Sequence, residues 1–357
     1  MRAAPCVRWL VASGSLLVAA TGCGARTELS DKDEPSPCAL RPGAPEVVAS
    51  GQDEARRLIL DEAAAYWLSS GADSSVVRLR FGGGPPETIA AHQKNAVDLA
   101  LSGADLYWTT FGTPNATLGS LFDGTVMRAP TSGGEPAVIA EGLPDPAGIA
   151  ADAASVYWTL INPNPIGAIQ KAGHDGSDPM ILATMNTFPW RLVVAESTLY
   201  FIASGHDIES KSGSVQSIGT SGGSSTTLAS GQAGPVDMAV DAHNVYWVNT
   251  GGYVELGGPL EEGAGTVMMA PRSGGQPEAL AIGQDAPVDL AIDDRCVFWV
   301  NRGTPPDFRD GAVMGVPIEG GPTITVIADL VAPTSIAVST TSIYWTSGDG
   351  TVSRRDR

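Results

Sequence analysis

The chain has 357 residues, of which 43 are glycine, 26 are proline and 43% are hydrophobic. That hydrophobic share is normal for a globular protein, so it excludes a disordered chain. The many glycines and prolines therefore indicate turns between many short strands. The formal charge of −18 and the lack of lysine and arginine clusters exclude nucleic acid as an expected partner, because phosphate binding requires such clusters.

Residues 1–22 predict an export signal. Arg2 and Arg8 precede an apolar run from Trp9 to Ala20, which is shorter than the about 20 residues of a membrane-spanning helix. The segment ends in "AATGC", which resembles the lipobox of bacterial lipoproteins and makes Cys23 the expected lipidation site. We therefore expect an exported protein that is lipid-anchored in the bacterial cell envelope, with the outer membrane as the favoured location. Ordinary cleavage to a soluble secreted protein is the alternative.

Residues 23–44 are polar, contain proline and lack periodicity, and they predict a flexible tether. From residue 45 to residue 357 an aromatic pair recurs seven times, at intervals of 41 to 52 residues. Four strands with their turns fill such an interval, so the repeat is typical of a propeller or a solenoid. The pairs are Tyr66-Trp67, Tyr107-Trp108, Tyr157-Trp158, Tyr200-Phe201, Tyr246-Trp247, Phe298-Trp299 and Tyr344-Trp345.

Each unit has the same order of parts. A first strand precedes the aromatic strand, a third strand follows a glycine as in "GTVMRAP" (124–130), and a glycine pair as in "TSGGEP" (131–136) provides the hairpin turn to a fourth strand. Adjacent strand residues point to opposite faces, so each aromatic pair requires cover on both faces of its sheet. Stacked blades provide that cover.

The last unit ends without a fourth strand, and the missing strand is found at the start of the repeat. The segment "PEVVASGQ" (45–52) aligns with "TTLASGQ" (226–232) at the end of unit four, so Val47 to Ser50 is predicted to complete the last blade and protect its edge. The predicted fold is therefore all-β: a seven-bladed β-propeller of four-stranded blades, with the ring closed by an N-terminal strand.

With these aromatic pairs, residues 45–357 resemble the YWTD and NHL-type repeat propellers. The resemblance implies the propeller fold. The aspartate of the YWTD motif is absent after every pair, and seven units depart from the six that are usual for YWTD domains. Receptor-type ligand binding is therefore not carried over.

Two sets of polar residues recur in register with the aromatic pairs. The set five residues ahead of a pair is expected to bond the backbone of its own turn. Its members are Asp61, Asp152, Asp241 and Asp293. The set nine residues ahead is expected to ring one mouth of the central channel, where its charged members either bind a polar ligand or an ion or pair with one another. Its members are Arg57, Asp98, Gly148, Arg191, Asp237, Asp289 and Ser335.

Metal and catalytic motifs are not found in the sequence. No zinc motif or calcium loop of standard spacing is present, so we expect no metal and no cofactor; a cation site of the propeller-lactonase kind on Asp98, Asp237 and Asp289 is the less favoured alternative. The repeat disperses the four histidines, and His206 alone falls at the channel end. Because a nucleophilic triad needs converging groups, no catalytic residue is assigned.

Two cysteines remain after Cys6 is lost with the signal and Cys23 is acylated. Cys38 and Cys296 form an even pair in an exported protein, where disulfides persist. Cys296 begins the aromatic strand of blade six, in the blade next to the closing strand, and the chain from Cys38 to that strand reaches roughly 30 Å. We predict a disulfide between them, with two free thiols as the alternative.

The connections between the second and third strands differ most in length. Residues 248–264 and 109–123 form the two longest, and insertions on one face of a repeat protein are often its binding surface. We expect Phe111, Tyr253 and Phe308 to be exposed on the face that carries these connections. The sequence favours a monomeric, non-catalytic binding or interaction scaffold for an envelope protein, peptide or glycan, which meets the membrane through its lipid anchor. A propeller enzyme of lyase or lactonase type, with its chemistry at the channel mouth, is the alternative.

Overall fold

The computed structural model describes residues 36–69, 73–115, 119–120, 122–161, 167–204, 212–251 and 263–357. These ranges contain strands, turns and irregular segments, and no α-helix lies within them. Nor does this described part include a helix that is long and apolar enough to cross a membrane. The predicted signal, Cys23 and the tether up to residue 35 fall outside the described residues.

The strands form seven four-stranded antiparallel sheets and one two-stranded hairpin. The first three sheets are blade 1, with β2 (Arg56–Leu60), β3 (Ala64–Leu68), β4 (Ser74–Arg80) and β5 (Glu87–Gln93); blade 2, with β6 (Ala96–Ser102), β7 (Asp105–Thr110), β10 (Gly124–Pro130) and β11 (Ala137–Leu143); and blade 3, with β12 (Pro146–Ala151), β13 (Val156–Leu160), β14 (Gly167–Ala172) and β15 (Met180–Met185). The hairpin in the insertion of blade 2 is β8 (Pro114–Asn115) with β9 (Gly119–Ser120).

The remaining four sheets continue in chain order until the last one. They are blade 4, with β16 (Phe188–Ala195), β17 (Thr198–Ser204), β18 (Gly213–Gly219) and β19 (Thr226–Gln232); blade 5, with β20 (Pro235–Val240), β21 (Asn244–Asn249), β22 (Gly265–Pro271) and β23 (Glu278–Gln284); blade 6, with β24 (Pro287–Ile292), β25 (Cys296–Asn301), β26 (Gly311–Pro317) and β27 (Ile324–Leu330); and blade 7, with β28 (Pro333–Val338), β29 (Ser342–Ser347), β30 (Val352–Asp356) and β1 (Glu46–Ala49).

The first strands of consecutive blades contact one another all the way around, and β28 of blade 7 contacts β2 of blade 1. The molecule is therefore a seven-bladed β-propeller, as the repeat predicts. The closing strand β1 pairs antiparallel with β30, with Val47 opposite Ser353. It begins one residue earlier than expected, at Glu46. The N-terminal strand does complete the last blade.

The aromatic pairs join each blade to the next one. The first aromatic residue of one blade packs with the second aromatic residue of the following blade, as Tyr66 does with Trp108 and Tyr246 does with Trp299. The same arrangement closes the ring, because Tyr344 of blade 7 packs with Trp67 of blade 1. Seven such clusters constitute the core, and the tryptophans of these pairs are at most 1% exposed.

Buried indole N–H groups need acceptors, and for four of the tryptophans a glutamine ahead of the blade supplies one. Trp108 Nε1 donates to Gln93 Oε1 at 2.8 Å, and Trp247 Nε1 donates to Gln232 Oε1 at 2.9 Å. Each glutamine lies at the end of the preceding fourth strand. At the closure, Trp67 of blade 1 donates to Gln52, which follows β1, over 3.2 Å. The closing segment thus repeats a contact found between other blades.

The glycine that starts the third strand is required by the neighbouring blade. In five blades it lies against the proline that starts the next blade; a Cβ at Gly265 would come within 2.3 Å of Pro287 Cδ, and one at Gly311 would come equally close to Pro333 Cδ. Proline is tolerated at the first residue of a strand because it needs no donor there. Close stacking of blades, and not turn formation, therefore explains the repeated glycine.

The aspartates five residues ahead of the pairs hold their turns, as predicted. Asp61 Oδ1 accepts from the backbone N–H groups of Ala63 and Ala64, both at 2.7 Å, and its Oδ2 accepts from the Tyr66 hydroxyl at 2.8 Å. Asp152 and Asp241 make the same set of contacts. Their repetition is therefore structural.

Cys38 and Cys296 form a disulfide, with the two Sγ atoms 2.08 Å apart. Both residues are buried, at 1% and 0% exposure, in the cluster between blades 6 and 7. The compact unit begins at Ser36, so residues 36–44, which the sequence assigns to the tether, belong to the propeller unit. Cys296 begins β25, so the bond lies at the end of the blade opposite to the connection between its second and third strands.

Deleting residues 45–51 should lower the melting temperature of the whole protein, because the deletion removes β1, exposes the edge of β30 and displaces Gln52 from its place behind β1. Thermal unfolding followed by circular dichroism measures the change. Deletion of residues 24–35, which leaves β1 and the disulfide in place, is the matched control. An unchanged melting temperature after the first deletion would show that β1 does not hold the ring closed.

Candidate functional site at the channel mouth

A β-bulge interrupts every first strand near its start. In blade 5, Pro235 pairs with Asn249 but Asp237 pairs with Val248, so one residue is extra on the inner strand. The other six blades show the same register shift. Bulges redirect side chains. As a result, two consecutive residues of a first strand can face the channel.

These bulges build the wall of a cavity of about 530 Å³ at one mouth of the channel, a volume typical of small-ligand pockets. The residues ten positions ahead of the seven aromatic pairs all line it: Arg56, Val97, Ala147, Trp190, Val236, Val288 and Thr334. Residues just after the second strands, among them Phe111, Arg302 and Gly348, form its rim. The cavity is therefore at the end that carries the connections between second and third strands, opposite the disulfide.

At the base of this cavity five charged residues form one ion-paired network. Arg57 Nε lies 2.8 Å from Asp98 Oδ1, and its Nη1 lies 3.5 Å from Asp237 Oδ1 and 3.9 Å from Asp289 Oδ1. Arg191 Nη1 donates to both oxygens of Asp98 at 2.9 and 2.8 Å, and its Nε donates to Asp237 Oδ1. The guanidiniums thus join carboxylates from blades on opposite sides of the ring.

The same acidic side chains connect neighbouring blades through the backbone. Asp98 Oδ2 accepts from Ile149 N–H of the next blade at 3.0 Å, and Asp237 Oδ2 accepts from Leu290 N–H at 3.1 Å. Asp289 Oδ2 accepts from Ile336 N–H at 2.9 Å and from the Ser335 hydroxyl. Each carboxylate therefore has a structural role at a blade junction as well as a place in the network.

The network sets the protonation of its carboxyl groups. Burial raises the pKa of Asp289 well above its usual range, and the neighbouring Asp237 carboxylate adds to that rise. Burial also opposes ionisation of Asp98 and Asp237, but the guanidiniums of Arg191 and Arg57 outweigh it and lower both pKa values. While Asp289 keeps its proton, two carboxylates face two guanidiniums, and the network is electrically balanced.

Two further arginines lie at the cavity outside this network. Arg56 donates through Nη2 to Ala96 O at 2.9 Å, while its buried Nε has no hydrogen-bond partner among the described residues. Arg302 is exposed, with its guanidinium carbon 4.7 Å from the ring centre of Phe308. In the described ranges no carboxylate lies within 4.0 Å of either guanidinium. Glu54 is the acidic residue on the rim.

The structure brings together Arg57, Asp98, Arg191, Asp237 and Asp289, five of the sequence-predicted site residues. The predicted aromatic residues were expected to be exposed, and this is wrong for the two that are described. Phe111 is half-buried on the cavity wall, with its ring centre 6.0 Å from that of Trp190, and Phe308 is half-buried under Arg302 outside the cavity lining. Tyr253 lies outside the described residues.

Sequence reasoning missed Arg56, Trp190 and Arg302. The first two directly precede Arg57 and Arg191, and strict strand alternation turns a residue away from its neighbour's face. The bulge removes that alternation. The available signal was the proline one position further ahead in five blades, because proline marks the start of the strand and the place of the bulge.

The described residues contain no group of three or more histidine, cysteine or acidic side chains placed to hold a metal ion. Asp98 and Asp237 direct their oxygens to guanidiniums and backbone N–H groups instead. His92, His174 and His243 are absent from the cavity lining, and His174 Nδ1 lies 2.7 Å from the Tyr107 hydroxyl. His206 falls outside the described residues.

Neither a protein-family model nor a curated protein sequence matches the chain. Solved structures do match it. Virginiamycin B lyase from Staphylococcus aureus is 12% identical with a TM-score of 0.65, and the match covers 87% of this chain and 98% of that chain. Its catalytically inactive histidine-to-alanine variant with quinupristin is 13% identical, with a TM-score of 0.64 over 87% and 97%. A chain of the nidogen/laminin complex is 21% identical, with a TM-score of 0.47 over 61% and 76%.

These likenesses are those of β-propellers, and at such identities they show the fold alone. A shared propeller fold does not by itself specify a function.

Asp98→Asn should lower the free energy of unfolding by about 3 kcal/mol, because it leaves parts of two buried guanidiniums without their partner. Asp289→Asn should cost less than about 1 kcal/mol, because asparagine resembles the protonated acid that the raised pKa favours. Chemical unfolding at fixed pH measures both.

The pH dependence of stability is a second test of the protonation of Asp289. A carboxyl group whose pKa is raised in the folded state contributes fully to stability at pH values below its ordinary pKa of about 4. That contribution is lost as the pH rises through the raised pKa. Wild-type stability should therefore decline over that interval more than the stability of Asp289→Asn. Equal pH profiles, or an Asp289→Asn cost as large as that of Asp98→Asn, would contradict the assigned protonation.

Proposed function

We propose that this propeller is a non-catalytic binding scaffold of the cell envelope, and that it holds a protein, peptide or glycan ligand at the channel mouth. One observation carries the proposal: the cavity is open and of ligand size, yet the charged groups at its base are paired with one another and with backbone N–H groups. Such a base gives the ligand a fixed, preorganised surface.

The state of the carboxyl groups supports binding over catalysis. A general base has to be ionised and free to accept a proton, but Asp98 and Asp237 are held by Arg191 and Arg57. Asp289, whose raised pKa suits a general acid, directs Oδ2 to Ser335 and the Ile336 N–H group at a blade junction. None of these groups has a histidine neighbour in the cavity lining.

The alternative is a lyase or lactonase, and the likeness to virginiamycin B lyase favours it. That enzyme shares the fold, and its inactive variant lacks a histidine. In this chain no described residue supplies a histidine to the cavity lining. Quinupristin is therefore a direct probe of the alternative.

The binding proposal predicts that the double variant Phe111→Ala, Trp190→Ala loses its partner in a pull-down from envelope extract, because the two rings form one wall of the cavity. The bait is the mature chain with Cys23→Ser. Quinupristin incubated with this bait should remain unchanged by liquid chromatography.

A matched control is available on the outer strand of blade 3. Met180 and Ile181 are 50% and 59% exposed, and replacing both by alanine removes apolar surface away from the cavity. Partner capture should survive that change. Capture that survives the Phe111 and Trp190 changes would exclude the cavity as the binding site, and turnover of quinupristin would favour the enzyme.

We further propose that Cys23 carries a lipid anchor and that the protein resides at the envelope, with the outer membrane favoured. The signal-like residues 1–22 and the lipobox-like "AATGC" support this location. A disulfide between two buried cysteines also suits an oxidising compartment outside the cytosol.

Cys23→Ser should move the protein from the membrane fraction to the soluble fraction, because acyl chains contribute about 0.8 kcal/mol per buried methylene to membrane binding. Fractionation and immunoblotting measure the distribution, with Cys6→Ser as the control that keeps the expected anchor. Membrane retention of Cys23→Ser would rule out Cys23 as the anchoring residue.

A further inference from the structure

The cavity has two chemically different sides, and the order of the blades places them across the mouth from each other. Arg56 belongs to blade 1 and Arg302 follows the second strand of blade 6, so the two arginines flank blade 7. Phe111 follows the second strand of blade 2 and Trp190 belongs to blade 4, so the two aromatic residues flank blade 3. In a ring of seven, blade 7 lies opposite blades 3 and 4.

The two arginines of the cationic side have no ion-pair partner within 4.0 Å among the described residues, and Glu54 is the acidic residue beside Arg56. The Nε atom of Arg56 is buried without a hydrogen-bond partner among the described residues, and the Arg302 guanidinium has no carboxylate within 4.0 Å in the same ranges. A buried donor without an acceptor is costly unless a ligand supplies one. Guanidiniums bind carboxylates through paired, charge-assisted hydrogen bonds. This side therefore suits an anionic group.

The opposite side suits an apolar or aromatic group. Trp190 is 38% exposed, and its ring centre lies 6.0 Å from that of Phe111. Val97, Val236 and Val288 line the wall between the two sides and offer no side-chain hydrogen bonds. A ligand that fills the mouth must therefore combine a negative end with an apolar body.

We propose that the cavity binds the carboxyl terminus of a peptide, with the terminal carboxylate at Arg56 and Arg302 and an apolar or aromatic side chain against Phe111 and Trp190. This inference rests on the proposed binding function and specifies its ligand. The base of the cavity favours a peptide over a fatty acid, because an alkyl chain would bury the charged network without hydrogen bonds, whereas peptide amides can bond to it.

The test uses labelled hexapeptides and the mature chain with Cys23→Ser, followed by fluorescence anisotropy. One peptide ends in phenylalanine with a free carboxylate, the second is its C-terminal amide, and the third ends in serine with a free carboxylate. The first should bind, and the other two should bind at least about tenfold more weakly, which is the loss expected for one charge-assisted hydrogen bond or one aromatic contact.

Variants assign the two ends of the peptide. Arg302→Gln should weaken the free acid about tenfold and leave the weak binding of the amide unchanged, because the lost contact is to the carboxylate. Trp190→Ala should weaken the phenylalanine peptide and abolish its advantage over the serine peptide. Arg295→Gln is the matched control: its side chain is 58% exposed, and it lies in the turn before β25, at the other end of the ring.

The contrary outcomes are distinct. Equal binding of acid and amide, no binding of any peptide, or binding of laurate in place of the free-acid peptide would overturn the assignment of a peptide carboxyl terminus. If any of these occurred while the Phe111 and Trp190 changes still abolished partner capture, the binding function would stand and this ligand class would fail.

Discussion

Every blade depends on cover for both faces of its second strand. The aromatic pair supplies a large ring to each face, and each ring is buried only because another blade lies against it, as Tyr66 does against Trp108. An isolated blade would expose both rings to water, at a cost of about 2 kcal/mol or more for each. The ring is therefore stable as a closed set of seven, and β1, the glycine–proline contacts and the indole–glutamine bonds all serve that closure.

The same closure creates the site. Stacking brings seven inner strands around one axis, where their bulges turn consecutive residues inward. Charges placed there are drawn out of water and have to compensate one another, which explains why Arg57 and Arg191 lie among three carboxylates. Above this base, arginines and aromatic residues from different blades give the mouth two sides of different chemistry.

The sequence was sufficient for the fold because the features that define it recur. Seven aromatic pairs, the glycine before the third strand and the match of residues 45–52 to unit four fix the number of blades and the closure. The axial residues Arg57, Asp98, Arg191, Asp237 and Asp289 could be found by counting from the pairs. Arg56 and Trp190 were missed, because a bulge changes which face a residue occupies and the proline that marks its place was not used as a signal. Phe111 is partly buried by Trp190, which comes from a distant part of the chain. Phe308 is partly buried by Arg302, which lies at the other side of the same loop.

The Cys38–Cys296 bond changes how the propeller would respond to mechanical tension. A pull on the chain ahead of Cys38 reaches the disulfide before it reaches β1, and the disulfide transfers the load to β25, the central strand of blade 6. The few backbone hydrogen bonds between β1 and β30 are then spared the force. The strand that closes the ring would otherwise be the first to peel away. A covalent bypass of this kind allows a domain to be held by its N-terminal end while its ring remains shut.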